Sequence, residues 1–320
     1  MTSRRTLMAG LAAGALLLSA CSGTGQSEPA DSGSLDLTIA VVTHGDPADA
    51  FWSVVKAGAE RAGEDLGVSV EYNSDPDVTK QSELIDTAVS KDVDGIVVSM
   101  AEPDGLEDSI KAAVEAGIPV ITINSGIDDW EDFGAITHVG QSETIAGQAA
   151  GDEFNELGAK NILCVIHEAG NVGLEQRCDG AKKNFEGTVE NLQVDGTDTA
   201  KASEKITSAL QADDSIDGVL TLSGQVALGA AQAVEDAGSE VQVATFDLST
   251  DVITDIQDGS ISFAVDQQPY VQGYLGVQLL YLKALNGNEV GGGQPVYSGP
   301  TLVTKDNAAE VEEFAKQGTR

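Results

Sequence analysis

Basic side chains are scarce in this 320-residue chain, where 17 Lys and Arg stand against 52 Asp and Glu. A formal net charge of −35 repels phosphate backbones and anionic lipid headgroups. That excludes nucleic acid as a partner and excludes a basic patch as a link to membranes. Histidine is as sparse, with only His44, His138 and His167. No Gly-x-Ser-x-Gly, His-Glu-x-x-His or Gly-x4-Gly-Lys-Ser/Thr segment occurs, so the usual hydrolase, zinc-protease and P-loop signatures are missing. His167-Glu168 is suggestive of an acid-base or metal-ligand pair, with His167 otherwise read as structural or as the edge of a pocket. If both residues lie on a strand they point to opposite faces, which argues against a shared role. No catalytic residue, metal or cofactor is expected. Beyond the first twenty residues no apolar run approaches the ~20 residues that cross a bilayer.

What the chain does carry begins with an address. Arg4-Arg5 precedes an apolar run from Leu7 to Leu18, closed by Ser19-Ala20-Cys21. This order is that of an export signal, and the run is too short for a permanent anchor. Leu18-Ser19-Ala20-Cys21 resembles the bacterial lipobox, which implies cleavage before Cys21, lipidation of that cysteine and a membrane-tethered protein outside the cytoplasm. Arg4-Arg5 only loosely resembles a twin-arginine signal, so Sec and Tat export both stay open. Residues 1–20 are read as the signal peptide, and residues 21–35, rich in Ser, Gly and acids, as a disordered tether. Cys164 lies in the apolar run Asn161–Ile166 and Cys178 near a helix start. An oxidising compartment permits a disulfide between them; two buried thiols are the alternative.

From Leu35 onward short β-rich runs alternate with helical periodicity. Leu37–Val42 reads as a strand covered on both faces. Phe51, Val54, Val55, Gly58, Ala62 and Leu66 then recur at steps of three and four, a helix stopped by Gly67. Further strands are expected at 68–72, 95–98, 120–123, 161–166, 218–222, 241–246 and 261–265. Helices fill the gaps, and Asp104 followed by Glu107 looks like a capping box. Strict alternation predicts an α/β protein with parallel sheets, and the number of strands calls for two doubly wound domains rather than one. Ligands of such folds sit beyond the carboxyl ends of strands. Those ends here carry Thr43-His44, Asn124-Ser125, Ser223, Asp247 and Asp266-Gln267.

The order of these elements, together with Asp49-Ala50-Phe51-Trp52, Gly170 through Arg177, Phe246-Asp247 and Asp266-Gln267-Gln268-Pro269-Tyr270, resembles the periplasmic sugar-binding proteins of ABC importers, in particular the ribose- and galactose-binding cluster. The resemblance runs from Leu35 to about Thr304. It implies two Rossmann-like lobes joined by a three-segment hinge, residues 36–138 plus 268–296 forming the N-terminal lobe and 139–267 plus 297–320 the C-terminal lobe. It also implies a ligand-binding set of Asp49, Phe51, Trp52, Asn124, Asn171, Arg177, Ser223, Asp247 and Gln267. Phe51 and Trp52 would cover the C–H faces of a sugar ring. Arg177 would offer its planar fork to two acceptors, and Asp247 would accept from adjacent hydroxyls.

Three departures from the family pattern bear on the ligand. Asn124-Ser125 replaces an Asp-Arg pair, Met100 stands where an amide would touch sugar, and Ser223 is shorter than the amide it replaces. They point to fewer or differently placed hydroxyls, as in an open-chain polyol rather than a pyranose. The expected partners are a small neutral sugar or polyol, a permease and ATPase complex, and the membrane through lipid on Cys21. The protein itself is expected to be a monomer. A sensor for chemotaxis or for a furanosyl-type signal, built on the same fold, is the alternative function.

Overall fold

The computed structural model describes residues 36–46 and 49–320. The expected signal peptide, Cys21 and the whole of the tether lie outside these residues. Among the described residues, twelve strands assemble into two six-stranded sheets. The first holds β1 (Thr38–Thr43), β2 (Ser69–Ser74), β3 (Gly95–Ser99), β4 (Val120–Ile123), β5 (His138–Gly140) and β11 (Val296–Tyr297), in the order β11-β5-β4-β3-β1-β2. The second holds β6 (Asn161–Ile166), β7 (Thr188–Gln193), β8 (Gly218–Thr221), β9 (Gln242–Phe246), β10 (Phe263–Asp266) and β12 (Thr301–Thr304), in the order β12-β10-β9-β8-β6-β7. The two orders are one topology used twice. They differ at one edge, where β11 runs parallel to β5 and β12 antiparallel to β10. The protein is a two-lobed α/β fold.

Central strands are apolar throughout because helices cover both faces. β3 and β4 are buried at every position. Each sheet separates two apolar clusters, one on either side, as a doubly wound layer requires. In the first lobe α1 (Ala50–Leu66) packs on α9 (Pro269–Asn286). A methyl group at Gly273 would lie 2.0 Å from the Val55 carbonyl oxygen, so glycine sets how closely these helices approach. In the second lobe α4 (Glu143–Leu157) meets α5 (Val172–Asn184) in the same manner. A methyl at Gly147 would stand 2.0 Å from the Arg177 carbonyl oxygen.

The chain crosses between lobes three times: after β5 through Gln141-Ser142, after β10 through Gln267-Gln268, and between β11 and β12 through Ser298–Pro300. Ser298 ties the crossings together. Its N–H donates to the Gly140 carbonyl at 3.0 Å and its hydroxyl to the Gln267 carbonyl at 2.8 Å.

Some local expectations are corrected. The first change of lobe comes later than residue 138, since His138–Gly140 forms one strand of the first sheet, and Tyr297 also belongs to that sheet. Asp104 does not cap its helix. α3 (Pro103–Glu115) starts two residues earlier than such a cap would set it, with Pro103 in the first turn, where its missing N–H costs nothing. Among the described residues, no helix is long and apolar enough to cross a membrane.

Candidate functional site

The carboxyl ends of both sheets face one cleft, and the polar residues that follow the strands line it. The inner part has about 30 Å³ of free space, bordered by Phe51, Trp52, Asn124, Asn171, Arg177, Ser223, Asp247 and Gln267, among others. An outer part of about 180 Å³ shares His44, Asp49, Trp52, His167, Glu168 and Ser223 with it and opens toward Thr197 and Gln225. All nine residues expected at a ligand site therefore border one cleft, from both lobes and the crossing between them.

Asn124 and Asp247 occupy equivalent places. Each directly follows the fourth strand of its sheet, β4 or β9, and each adopts a left-handed backbone conformation, with φ of 63° and 71°. Such conformations cost a non-glycine residue on the order of 1–3 kcal/mol and persist where the surroundings hold them. Here the N–H of Asn124 donates to the Val139 carbonyl at 3.2 Å, and that of Asp247 to the Val265 carbonyl at 3.0 Å. Gln267 bridges the pair. Its Oε1 accepts from Asn124 Nδ2 at 3.0 Å, and its Nε2 donates to Asp247 Oδ1 at 2.6 Å. A second link crosses the cleft where Ser125 Oγ, already bonded to Asn124, reaches Asn171 Oδ1 at 3.4 Å.

Two helix starts bring further groups in. Asp49 caps α1, accepting from the Phe51 N–H at 2.9 Å, and thereby fixes the turn that presents Phe51 and Trp52. Trp52 meets His44 and Phe51 edge-on, with ring centroids 4.6 and 5.0 Å away. Both rings of the pair also belong to the first-lobe core, so they serve packing and cleft together. Asn171 caps α5 through Oδ1, while its Nδ2 donates to Glu168 Oε2 at 2.7 Å. Six residues on, Arg177 is buried rather than forming a surface ion pair. It makes a forked pair with Glu143, Nε to Oε2 at 2.5 Å and Nη2 to Oε1 at 3.1 Å, and lies over the Phe246 ring at 4.6 Å. Ser223 precedes α7 (Gly224–Asp236) without capping it through its side chain.

Burial dominates the electrostatics. It pushes the Asp247 carboxyl up to about 7, against the opposing pull of Arg177 and of the Gln267 hydrogen bond. Asp49 is raised for the same reason. The imidazoles move the other way, His44 downward, His167 to about 4 and His138 to about 3, so all three are neutral near pH 7. Among the described residues no group of three or more His, Cys, Asp or Glu side chains is placed to hold a metal. Cys164 and Cys178 are joined by a disulfide that staples α5 to β6 beside this site.

Three placements go beyond or against the sequence reading. Met100 is fully buried in the first-lobe core and does not border the cleft. His167 and Glu168 do not diverge: β6 ends at Ile166, so strand alternation does not apply to them, and both line the two cavities. Thr197 and Gln225 carry no local sequence signal and reach the cleft only through the fold.

This constellation defines a class: two lobes with their strand ends converging on a polar cleft, built to enclose a small molecule. The chain belongs to the periplasmic binding protein family, whose domain matches residues 39–289. It is a binding protein of an extracytoplasmic compartment, not an enzyme. Among its relatives, a carbohydrate transporter from Acidothermus cellulolyticus, crystallised with myo-inositol, is 46% identical with a TM-score of 0.88, covering 89% of this chain and 100% of that one. The fructose import binding protein FruE of Bifidobacterium longum is 28% identical over 277 residues, 81% of this chain and 82% of the relative. The ribose import binding protein RbsB of Escherichia coli is 24% identical over 253 residues, or 77% and 84% of the two chains.

Proposed function

We propose that this chain captures a small neutral sugar or cyclic polyol between its lobes and delivers it to the permease of an ABC importer. The observation that carries this reading is the convergence of an aromatic pair, a forked arginine and a bridged Asn124–Gln267–Asp247 chain on one cleft. A ring with apolar C–H faces and a polar rim matches that set. In this reading Phe51 and Trp52 cover a ring face, and Asp247 and Asp49 accept from hydroxyls. Asn124, Asn171, Ser223 and Gln267 exchange hydrogen bonds at the rim, and the part of Arg177 not held by Glu143 donates. The likeness to the myo-inositol complex favours a cyclitol over a pentose. We assign residues 36–140 plus 268–297 and 141–267 plus 298–320 as the two lobes, with the first and third crossings placed after β5 and β11. The chain acts as a monomer, held at the membrane surface by lipid on Cys21.

The test is a thermal-shift screen of the mature chain against cyclitols, hexoses, pentoses and alditols, followed by calorimetry. A ligand present at 100 times its Kd stabilises the fold by about 2.7 kcal/mol. Tight binding of an amino acid or phosphate, with no response to any sugar or polyol, would overturn the proposal.

A further inference from the structure

The two walls of the outer cavity differ in chemistry. The first lobe contributes Trp52, Pro76 and the His44 ring beside two acids, whereas the second contributes His167, Glu168, Gly196, Thr197, Ser223 and Gln225. Apolar cover is thus available to one face of a bound ring, and the opposite face meets hydrogen-bonding groups. Among the described residues no Lys or Arg lines this cavity, so the charged groups that line it are all acceptors.

Glu168 is the one carboxylate on the second wall. Asn171 Nδ2 engages its Oε2 at 2.7 Å. A carboxylate accepts up to about four hydrogen bonds, so one donor leaves most of that capacity open. A ring whose hydroxyls are all equatorial has two apolar faces. Bound with one face on Trp52, it would set the other against Glu168 and strip water from the carboxylate without replacing it. A ring bearing one axial hydroxyl carries a donor on one face, and that face suits the second wall.

We infer that Glu168 is a specificity-determining residue, accepting a hydrogen bond from an axial hydroxyl on the ring face turned away from Trp52. The ligand is then a sugar or cyclitol with at least one axial hydroxyl. This rests on the reading of the cleft as a sugar or polyol site and adds a stereochemical requirement to it.

The test uses the whole mature chain and calorimetry with two matched pairs: scyllo-inositol against myo-inositol, and glucose against galactose. Within each pair the second member has the same composition and one more axial ring hydroxyl. The axial member of the pair that binds should be favoured by about tenfold or more, the range expected for one hydrogen bond to a charged group. Glu168→Gln keeps an acceptor for Asn171 while removing the charge. It should bring that ratio toward one by weakening the axial member, with an unchanged melting temperature. A variant that weakens both members equally, or leaves the ratio intact, would make Glu168 merely a support for Asn171 and overturn the inference. So would preference for the all-equatorial member, or for an amino sugar over every neutral ring. Binding without discrimination overturns this inference alone, whereas no binding of any sugar or polyol overturns the functional reading and this inference with it.

Discussion

Ligand affinity should depend on pH through Asp247, and the direction follows from its surroundings. In the ligand-free fold, burial holds this carboxyl protonated up to about 7. Ligand hydroxyls donating to it favour the ionised form, so binding pulls its pKa back toward the ordinary carboxylate range and releases a proton. At pH 5.5 a group of pKa near 7 is only about 3% ionised. The affinity there should lie about 30-fold below its plateau above pH 8, rising about tenfold per unit up to near pH 7 and levelling beyond it. His167 does not interfere, because burial lowers its pKa to about 4, and burial shifts His44 downward as well. Asp49 is also raised, and Asp247→Asn separates the two: the variant should bind more weakly and lose most of the pH dependence. Calorimetry at pH 6 in buffers of different ionisation enthalpy should count close to one proton released per ligand. For the ligand-free fold the sign is reversed. A carboxyl raised above its unfolded value stabilises most below about pH 4, and that contribution is lost as pH rises through 7, by up to about 4 kcal/mol. Wild type minus Asp247→Asn stability should therefore fall over this range. Affinity flat from pH 5.5 to 8, with no proton released, would refute the assignment of Asp247 to ligand hydroxyls.

Other measurements bear on the frame around the cleft. Glu143→Gln leaves the buried Arg177 guanidinium without its charge partner and should cost about 3–5 kcal/mol in urea unfolding, against near-zero for the exposed pair Lys56–Glu60. Replacing both Cys164 and Cys178 by Ala should cost about 3 kcal/mol, the chain-entropy value for a link across 14 residues; an unchanged midpoint would mean the unfolded chain is not constrained by it. The lobes also touch outside the ligand set, where the Val172 N–H donates to the Ala101 carbonyl at 3.0 Å and Gln176 Nε2 to Asp128 Oδ2 at 2.8 Å. Gln176→Ala should therefore raise the ligand Kd about two- to fivefold and enlarge the ligand-free radius of gyration in solution scattering, as expected of a group that favours closure.

The parts of this architecture legible in the sequence are those where one periodicity dominates. β4 and β6 run over the residues expected of them, because Val120–Ile123 and Asn161–Ile166 are near-continuous apolar runs bounded by polar strand ends. The strand-end rule likewise located Asn124, Ser223, Asp247 and Gln267. Elements without a contrasting face escaped. β7 is an edge strand with a largely solvated sequence, TVENLQ, and α9 is apolar on most sides because it is wedged between α1 and the sheet. β5 is three residues long and gains its identity only from pairing with β4. At the site, His167 was expected as structural or at a pocket edge, but Glu168 was set apart from it because strand alternation was extended two residues past the end of β6. Thr197 and Gln225 could not be found at all, since nothing local distinguishes a loop residue that meets a cleft from one that meets water.

The threefold crossing has a consequence for the order in which the molecule can be completed. The first sheet needs β11 for its edge and α9 for one of its covers, and both follow the entire β6–β10 segment in the chain. The second sheet waits longer still, for β12. A chain emerging from its amino end thus has neither lobe finished until residues beyond about 300 have appeared. Most of its stabilising contacts are of long sequence separation, which slows folding further. Such a polypeptide keeps both halves incomplete until its last fifty residues are free, and then finishes them almost together.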